Sequence, residues 1–159
     1  MRALLIDGHI LFRQGLKFLL SELDENMEFF EADNCEQALA CKQNVGLVLL
    51  DLYVPGANGL DALSTVRKNF DSSIIVALSR EDNLQVIRRA VENGASSFIL
   101  KSSAPRILRA ALQAVLAGEA YLPPHALRDP AIADQATAGG AGFKSADRKY
   151  IDTTIGQTS

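Results

Sequence analysis

Short apolar runs alternate with helical patterns five times along the chain, and this alternation limits the possible folds more than any other feature. The runs are too short for solitary helices and are typical of buried strands, whereas the stretches between them repeat apolar residues at helical spacing. The predicted strands are residues 3–7, 27–32, 47–51, 74–79 and 98–101. The predicted helices are residues 10–23, 34–42, 60–69, 83–93 and 104–117.

Repeated strand–helix units with right-handed crossovers give a parallel sheet that is covered on both faces. We therefore predict an α/β fold with a flavodoxin-like, doubly wound, five-stranded parallel sheet in the order 2-1-3-4-5. The first helix is predicted to turn one apolar stripe toward this sheet. The residues of that stripe are Leu11, Phe12, Leu16, Leu19, Leu20 and Leu23.

Composition separates a folded domain from a tail. Residues 1–125 carry the alternating pattern, and we predict a single domain there. Residues 126–159 are rich in Ala, Gly, Thr and Asp, and we predict a mostly flexible linker and tail with a short helix near residues 145–151. This tail is too short to hold a complete three-helix DNA-binding domain.

Charge and hydropathy exclude several classes of partner. The net charge of −3 argues against non-specific binding to nucleic acid or to an anionic membrane. No apolar stretch approaches the roughly 20 residues that a membrane-spanning helix needs. Cys35 and Cys41 lack the spacing of a metal site and are predicted to be free thiols in a reducing cytoplasm.

Charged side chains stand at the carboxyl ends of three predicted strands. Asp7 ends the first strand, Asp51 the third and Lys101 the fifth. The predicted strand order makes Asp7 and Asp51 neighbours, at the edge where doubly wound sheets bind their ligands. We therefore predict a polar functional site made of two acids and a lysine.

Five segments of the chain resemble the receiver domains of two-component response regulators. Residues 51–60 are similar to the phosphoacceptor strand and loop of that family, residues 77–79 to its switch-hydroxyl strand, and residues 93–101 to the strand that carries its switch aromatic and lysine. Residues 7–16 and 118–124 resemble the NarL/FixJ-type subfamily in particular. The resemblance covers roughly residues 1–125, without the helix-turn-helix output domain that usually follows in that subfamily.

The resemblance implies a role for each matching residue. Asp51 would accept a phosphoryl group from a sensor histidine kinase, with Lys101 and Ser79 contacting the phosphoryl oxygens and Ser79 and Phe98 acting as the switch pair. Asp7, Asp51 and the backbone carbonyl of Tyr53 would hold Mg²⁺. The output face would be formed by the fourth helix, fifth strand and fifth helix. Besides the histidine kinase, a second copy of the chain is a candidate partner, which would give a homodimer.

Two residues depart from the family pattern. Gly8 stands where receivers usually have a second acid that contacts Mg²⁺, so we predict weaker Mg²⁺ binding and slower phosphorylation. Arg80 follows the switch hydroxyl, where a small residue is usual. His9 is predicted not to bind metal, because the other histidine, His125, lies far away in the sequence.

Three functional alternatives follow from these residues. The first is a phosphoacceptor switch that is not an enzyme. The second is a degenerate receiver that docks or dimerises without phosphorylation, which Gly8 and Arg80 favour. The third is an aspartyl-phosphate hydrolase, which is disfavoured because Tyr53 stands where that class places a second Asp.

Overall fold

The computed structural model describes residues 1–53 and 58–139, with the backbone alone for residues 135–139. Five strands alternate with helices, and two further helices follow the fifth strand–helix unit. The strands are β1 Arg2–Ile6, β2 Glu28–Ala32, β3 Leu47–Asp51, β4 Ile74–Ser79 and β5 Ser97–Leu100. The helices are α1 Ile10–Leu23, α2 Cys35–Ala40, α3 Gly59–Asn69, α4 Leu84–Glu92, α5 Pro105–Leu116, α6 Pro124–Leu127 and α7 Pro130–Gly139.

The five strands form one parallel sheet in the order β2-β1-β3-β4-β5, which confirms the predicted fold class. The register pairs Ile6 with Leu50 and Ser79 with Leu100. The residues that follow these pairs therefore meet at the same edge of the sheet. This register brings Asp7 beside Asp51 and carries Lys101 to the same edge.

Alternate residues of the strands point into two separate apolar layers. Val48 and Leu50 of β3 pack in the layer that includes residues of α3 and α4, whereas Leu47 and Leu49 pack in the layer that includes residues of α1 and α5. All four of these side chains are fully buried. Each such side chain contributes about 1.5–3 kcal/mol to folding, which explains why a strand covered on both faces is apolar without alternation.

The predicted inward stripe of α1 is wrong at one position. Leu16 and Leu20 are buried as predicted, but Leu11 is 87% exposed. An α-helix turns by about 100° per residue, so Leu11 lies about 140° around the helix from Leu16 and about 180° from Leu20. Leu11 therefore faces solvent, as does Ile10, whereas Phe12 is partly buried against the layer on this face of the sheet.

The capping signals are correct to within a residue or two. Asn34 accepts a hydrogen bond from the backbone N–H of Gln37 and begins α2, as predicted. The Gln37 side chain returns to the N–H of Asp33, one residue earlier than in the standard capping box. The helix ends at Ala40, two residues before its predicted end.

Residues after α5 continue the folded unit. Ala126 in α6 and Ile132 in α7 are fully buried in the same layer as α4, and the Arg88 guanidinium on α4 lies 3.5 Å from the Asp129 carboxylate. Composition predicts a mostly flexible segment here, and α7 differs from that prediction over residues 130–139. The short helix predicted near residues 145–151 lies outside the described residues. None of the helices in the described ranges combines the length and the apolar composition that a membrane-spanning segment needs.

Arg67 joins the end of α3 to the amino edge of the sheet. Its guanidinium donates to the carbonyl oxygens of Gly94 at 2.7 Å, Asp71 at 3.0 Å and Ser73 at 2.8 Å. Gly94 has a φ of 110°, and a Cβ there would lie 2.7 Å from Cγ of Arg67. Gly94 is thus required both for its backbone conformation and for the approach of Arg67.

We expect Arg67→Met to lower the free energy of unfolding by about 2–4 kcal/mol, because several partly buried carbonyls lose their donor. Urea unfolding followed by circular dichroism measures this change. Arg67→Lys is the control, because it keeps the charge but not the planar guanidinium. Its free energy of unfolding should lie between those of the wild type and Arg67→Met. A loss below about 0.5 kcal/mol in Arg67→Met would contradict the role assigned to these hydrogen bonds.

Candidate functional site

Three buried charged side chains meet at the carboxyl edge of the sheet. Lys101 Nζ lies 2.9 Å from Asp7 Oδ2 and 3.1 Å from Asp51 Oδ2. The side chains of Asp7, Asp51 and Lys101 are only 1%, 2% and 7% exposed. The structure therefore brings together the two acids and the lysine that the sequence predicted, with two carboxylates facing one ammonium group.

Each carboxylate is fixed by the backbone that follows its strand. The N–H of His9 donates to Asp7 Oδ1 at 2.8 Å, and the N–H of Tyr53 donates to Asp51 Oδ1 at 2.9 Å. These are Asx turns, in which an aspartate side chain binds the backbone two residues later. The second oxygen of each carboxylate consequently points to Lys101, and both acids present the same geometry to the site.

Further contacts hold the lysine and the end of β1. Lys101 Nζ lies 4.5 Å from the centre of the Phe12 ring, a cation–π distance. Arg13 is buried, and its guanidinium donates to the backbone carbonyl of Asp7 and to the carboxylate of Asp33. Arg13 was not singled out from the sequence, where it resembles any polar residue of an amphipathic helix.

The predicted switch residues lie next to this cluster but outside its ion pairs. Ser79 is fully buried, and its Oγ accepts a hydrogen bond from the N–H of Glu81 at 3.0 Å. Phe98 is fully buried in the layer under α3 and α4. Desolvation, together with a hydrogen bond to Glu81, raises the pKa of the Tyr53 phenol. The roles of Ser79, Phe98 and the Tyr53 carbonyl stay predictions.

His9 belongs to the cluster, although its distance from His125 in the sequence argued against a metal site. Its Nδ1 lies 3.4 Å from Asp7 Oδ1, 3.8 Å from Asp51 Oδ2 and 3.2 Å from Lys101 Nζ. The signal that was missed is its offset: His9 is the residue whose N–H closes the Asx turn of Asp7, so its ring starts beside the carboxylates. His125, by contrast, binds the carbonyl of Asp82.

An open cavity of about 450 Å³ lies over the cluster. It is lined by Gly8, His9, Asp51, Tyr53, Arg80 and Glu81. Arg80 spans part of it, with a guanidinium nitrogen 2.6 Å from Nε2 of His9. Asp51 is thus reached from solvent through this cavity, although its side chain is almost completely buried.

The donor atoms of Asp7, His9 and Asp51 fit a divalent cation. One ligand atom from each of these residues lies within 4.8 Å of the others. Two carboxylates facing one ammonium leave a formal charge of −1, which favours a cation. Gly8 offers no side-chain ligand. Among the described glycines, Gly94 and Gly118 have a positive φ and Gly8 does not, so the backbone of Gly8 is not in the left-handed region.

Comparison with known proteins gives consistent relatives. The family described as response regulator receiver domain matches residues 3–113. The transcriptional activator protein ExaE of Pseudomonas putida is 34% identical over 124 residues, which cover 77% of this chain and 58% of that protein. The nitrate/nitrite response regulator protein NarL of Escherichia coli K12 is 36% identical over 121 residues, which cover 75% of this chain and 56% of that protein. The chain spans somewhat over half the length of these relatives.

Solved structures agree with these relatives. The crystal structure of a LuxR family DNA-binding response regulator from Silicibacter pomeroyi is 33% identical, covers 79% of this chain and 98% of that chain, and has a TM-score of 0.68. The isolated REC domain of RcsB from Salmonella enterica serovar Typhimurium, with phosphomimetic BeF₃⁻, covers 80% of this chain and 96% of that chain. At 21% identity and a TM-score of 0.69, it shows the fold alone.

Proposed function

Because the chain belongs to the response regulator receiver domain family, we propose that Asp51 accepts a phosphoryl group from a sensor histidine kinase. The observation that carries this proposal is the 3.1 Å ion pair between Asp51 and Lys101 at the floor of an open cavity. A carboxylate that is fixed by a cation and reachable from solvent can act as the nucleophile of phosphoryl transfer.

In the proposed step, an oxygen of Asp51 bonds to phosphorus while the bond from phosphorus to the kinase histidine breaks. The histidine nitrogen leaves with the electron pair of that bond, and an acyl phosphate remains on Asp51. Lys101 Nζ already lies between the two carboxylates, so a small movement lets it bind an oxygen of the arriving group. A compact ammonium suits this role because it acts as a point charge with three donors.

The proposed cation site uses the same edge of the sheet. Asp7, Asp51 and the backbone carbonyl of Tyr53 would hold Mg²⁺, which would neutralise charge on the phosphoryl donor. Gly8 supplies none of the negative charge that a second acid would add. We therefore propose that Mg²⁺ binds this chain more weakly than it binds a receiver with two adjacent acids.

Phosphorylation would act on the surface formed by α4, β5 and α5. Ser79 Oγ accepts from the N–H of Glu81, and its O–H would turn to donate to a phosphoryl oxygen. We propose that this bond moves the end of β4, and that Phe98 on the neighbouring β5 repacks with it. The new surface would bind a partner or a second copy of the chain; the net charge of −3 does not favour DNA.

A second candidate function is phosphorylation-independent docking through the same surface. The observation that favours it is the contact of Arg80 with His9, 2.6 Å across part of the cavity. In that arrangement Arg80 would narrow the approach of a phosphoryl donor to Asp51. The two candidates differ in whether Asp51 ever carries a phosphoryl group.

We expect incubation with acetyl phosphate and Mg²⁺ to add one phosphoryl group, which intact-mass spectrometry detects, and Asp51→Asn to abolish it. Asn keeps the shape of the side chain but is not a competent nucleophile. Asp71→Asn, at an exposed acid away from the cavity, is the matched control and should retain the adduct. An adduct that persists in Asp51→Asn contradicts the proposal, and a folded wild-type chain that takes up no phosphoryl group favours the docking function.

A further inference from the structure

The position of His9 has a consequence for the metal that this site selects. We infer that His9 acts as the third protein ligand, with Asp7 and Asp51. The site would then prefer a transition-metal dication such as Zn²⁺ over Mg²⁺, the ion that an all-oxygen site would bind. This inference concerns the cation site of the proposed function and rests on it for the location, but its test does not require phosphorylation.

The chemistry of the donor set is the first argument. Gly8 removes an oxygen ligand, and a ring nitrogen of His9 lies close enough to both carboxylates to serve in exchange. Mg²⁺ prefers oxygen ligands in an octahedron and keeps much of its water. Imidazole suits Zn²⁺ and other first-row transition metals, so a set of two carboxylates and one imidazole shifts the preference away from Mg²⁺.

The distances are the second argument. With metal–ligand bonds of about 2.0–2.2 Å, neighbouring ligands of a tetrahedral Zn²⁺ lie about 3.3–3.6 Å apart. Neighbouring ligands of an octahedral Mg²⁺ lie closer, at about 2.9 Å. His9 Nδ1 lies 3.4 Å from Asp7 Oδ1 and 3.8 Å from Asp51 Oδ2. The first separation falls in the tetrahedral range, the second is slightly longer, and both exceed an octahedral edge.

The neighbouring cations define what must move. Lys101 Nζ lies 3.2 Å from His9 Nδ1 and a guanidinium nitrogen of Arg80 lies 2.6 Å from His9 Nε2. A metal bound at Nδ1 takes the lone pair that faces Lys101, and Nε2 then carries the proton, so Arg80 must turn away. Arg80 is exposed and can turn into solvent. Lys101 can give up its contact with His9, because it also pairs with the carboxylates of Asp7 and Asp51. Binding of Zn²⁺ would therefore also uncover the cavity.

NMR signals of the histidine ring nitrogens show directly whether His9 binds Zn²⁺. The chain has only two histidines, so a ¹⁵N-labelled sample gives two sets of ring signals, which His9→Gln and His125→Gln assign. We expect one equivalent of Zn²⁺ to shift the ring nitrogens of His9 and to leave those of His125 unchanged. Zinc taken up by the free thiols Cys35 and Cys41 does not enter this readout.

Calorimetric titrations of the same variants give the selectivity. His9→Gln should weaken Zn²⁺ binding by at least about tenfold while changing Mg²⁺ binding by less than about twofold. His125→Gln should change neither. Gly8→Asp should act in the opposite sense, tightening Mg²⁺ binding because it restores a hard oxygen ligand.

Two results would overturn the inference: His9 ring nitrogens that do not move at saturating Zn²⁺, or equal Zn²⁺ affinity in wild type and His9→Gln. Because His9 is half exposed, loss of its ring should not unfold the chain, and circular dichroism checks this. If His9 responds to Zn²⁺ but Asp51 takes up no phosphoryl group with either metal, the proposed phosphorylation fails and the metal inference stands. If Asp51 is phosphorylated with Mg²⁺ and His9 does not respond to Zn²⁺, the metal inference fails and the proposed phosphorylation stands.

Discussion

Replacement of Lys101 by methionine should lower the free energy of unfolding by about 3–5 kcal/mol, because it leaves two buried carboxylates without their shared cation. Asp7 and Asp51 are at most 2% exposed and both contact Lys101 Nζ within 3.1 Å. Urea unfolding at neutral pH measures the loss. The same variant should take up a phosphoryl group from acetyl phosphate about 100-fold more slowly, since a fixed cation next to the acceptor is removed.

A double-variant cycle separates the charge effect from packing. Asp7→Asn in the Lys101→Met background removes one of the two unpaired carboxylates and should recover part of the lost stability. Lys68→Met, at an exposed lysine of α3, is the matched control and should change stability by less than about 0.5 kcal/mol. A Lys101→Met chain as stable as the wild type would show that the carboxylates do not depend on this cation.

A chain that ends at residue 125 should be less stable than the whole chain by about 3–5 kcal/mol, because the cut removes Ile132, Ala126 and their cover of α4. Residues 126–134 also carry Asp129, which pairs with Arg88. Thermal and urea unfolding of the two chains measure the difference.

A point variant tests the packing of α7 against α4 without shortening the chain. Ile132→Ala should cost about 2–4 kcal/mol, whereas Leu11→Ala, at an 87% exposed position, should cost less than about 0.5 kcal/mol. If Ile132→Ala and Leu11→Ala behave alike, α7 does not stabilise the fold.

The strands and the three charged strand ends were predictable because their signals are local. A run such as residues 47–51 is apolar on both faces, and a parallel sheet is the fold that buries such a run. Once the strand order is set, geometry alone carries Asp7, Asp51 and Lys101 to one edge. No other knowledge of the site was needed to bring them together.

The features that were missed depend on contacts across the fold or on weak local signals. Ile132 lies in an alanine-rich segment, so the sequence shows no apolar stripe of large residues there, although Asp129 followed by Pro130 is a helix-start signal. His9 was missed because a histidine pair is sought along the sequence, whereas the carboxylates beside it are those of Asp7, which follows β1, and Asp51, which ends β3. Exposure of Leu11 follows from helix geometry and was available from the sequence.

The contacts of Lys101 also bear on how the site is assembled. Its bond to Asp7 joins residues 94 positions apart, and its bond to Asp51 joins residues 50 positions apart. Pairing of such distant segments is slow, because the intervening chain must lose its loop entropy first. During synthesis both acids leave the ribosome before the lysine, so neither has this partner until β5 has joined β4. The cluster therefore forms only after β1, β3, β4 and β5 have paired, and its ion pairs report that these four strands are in register.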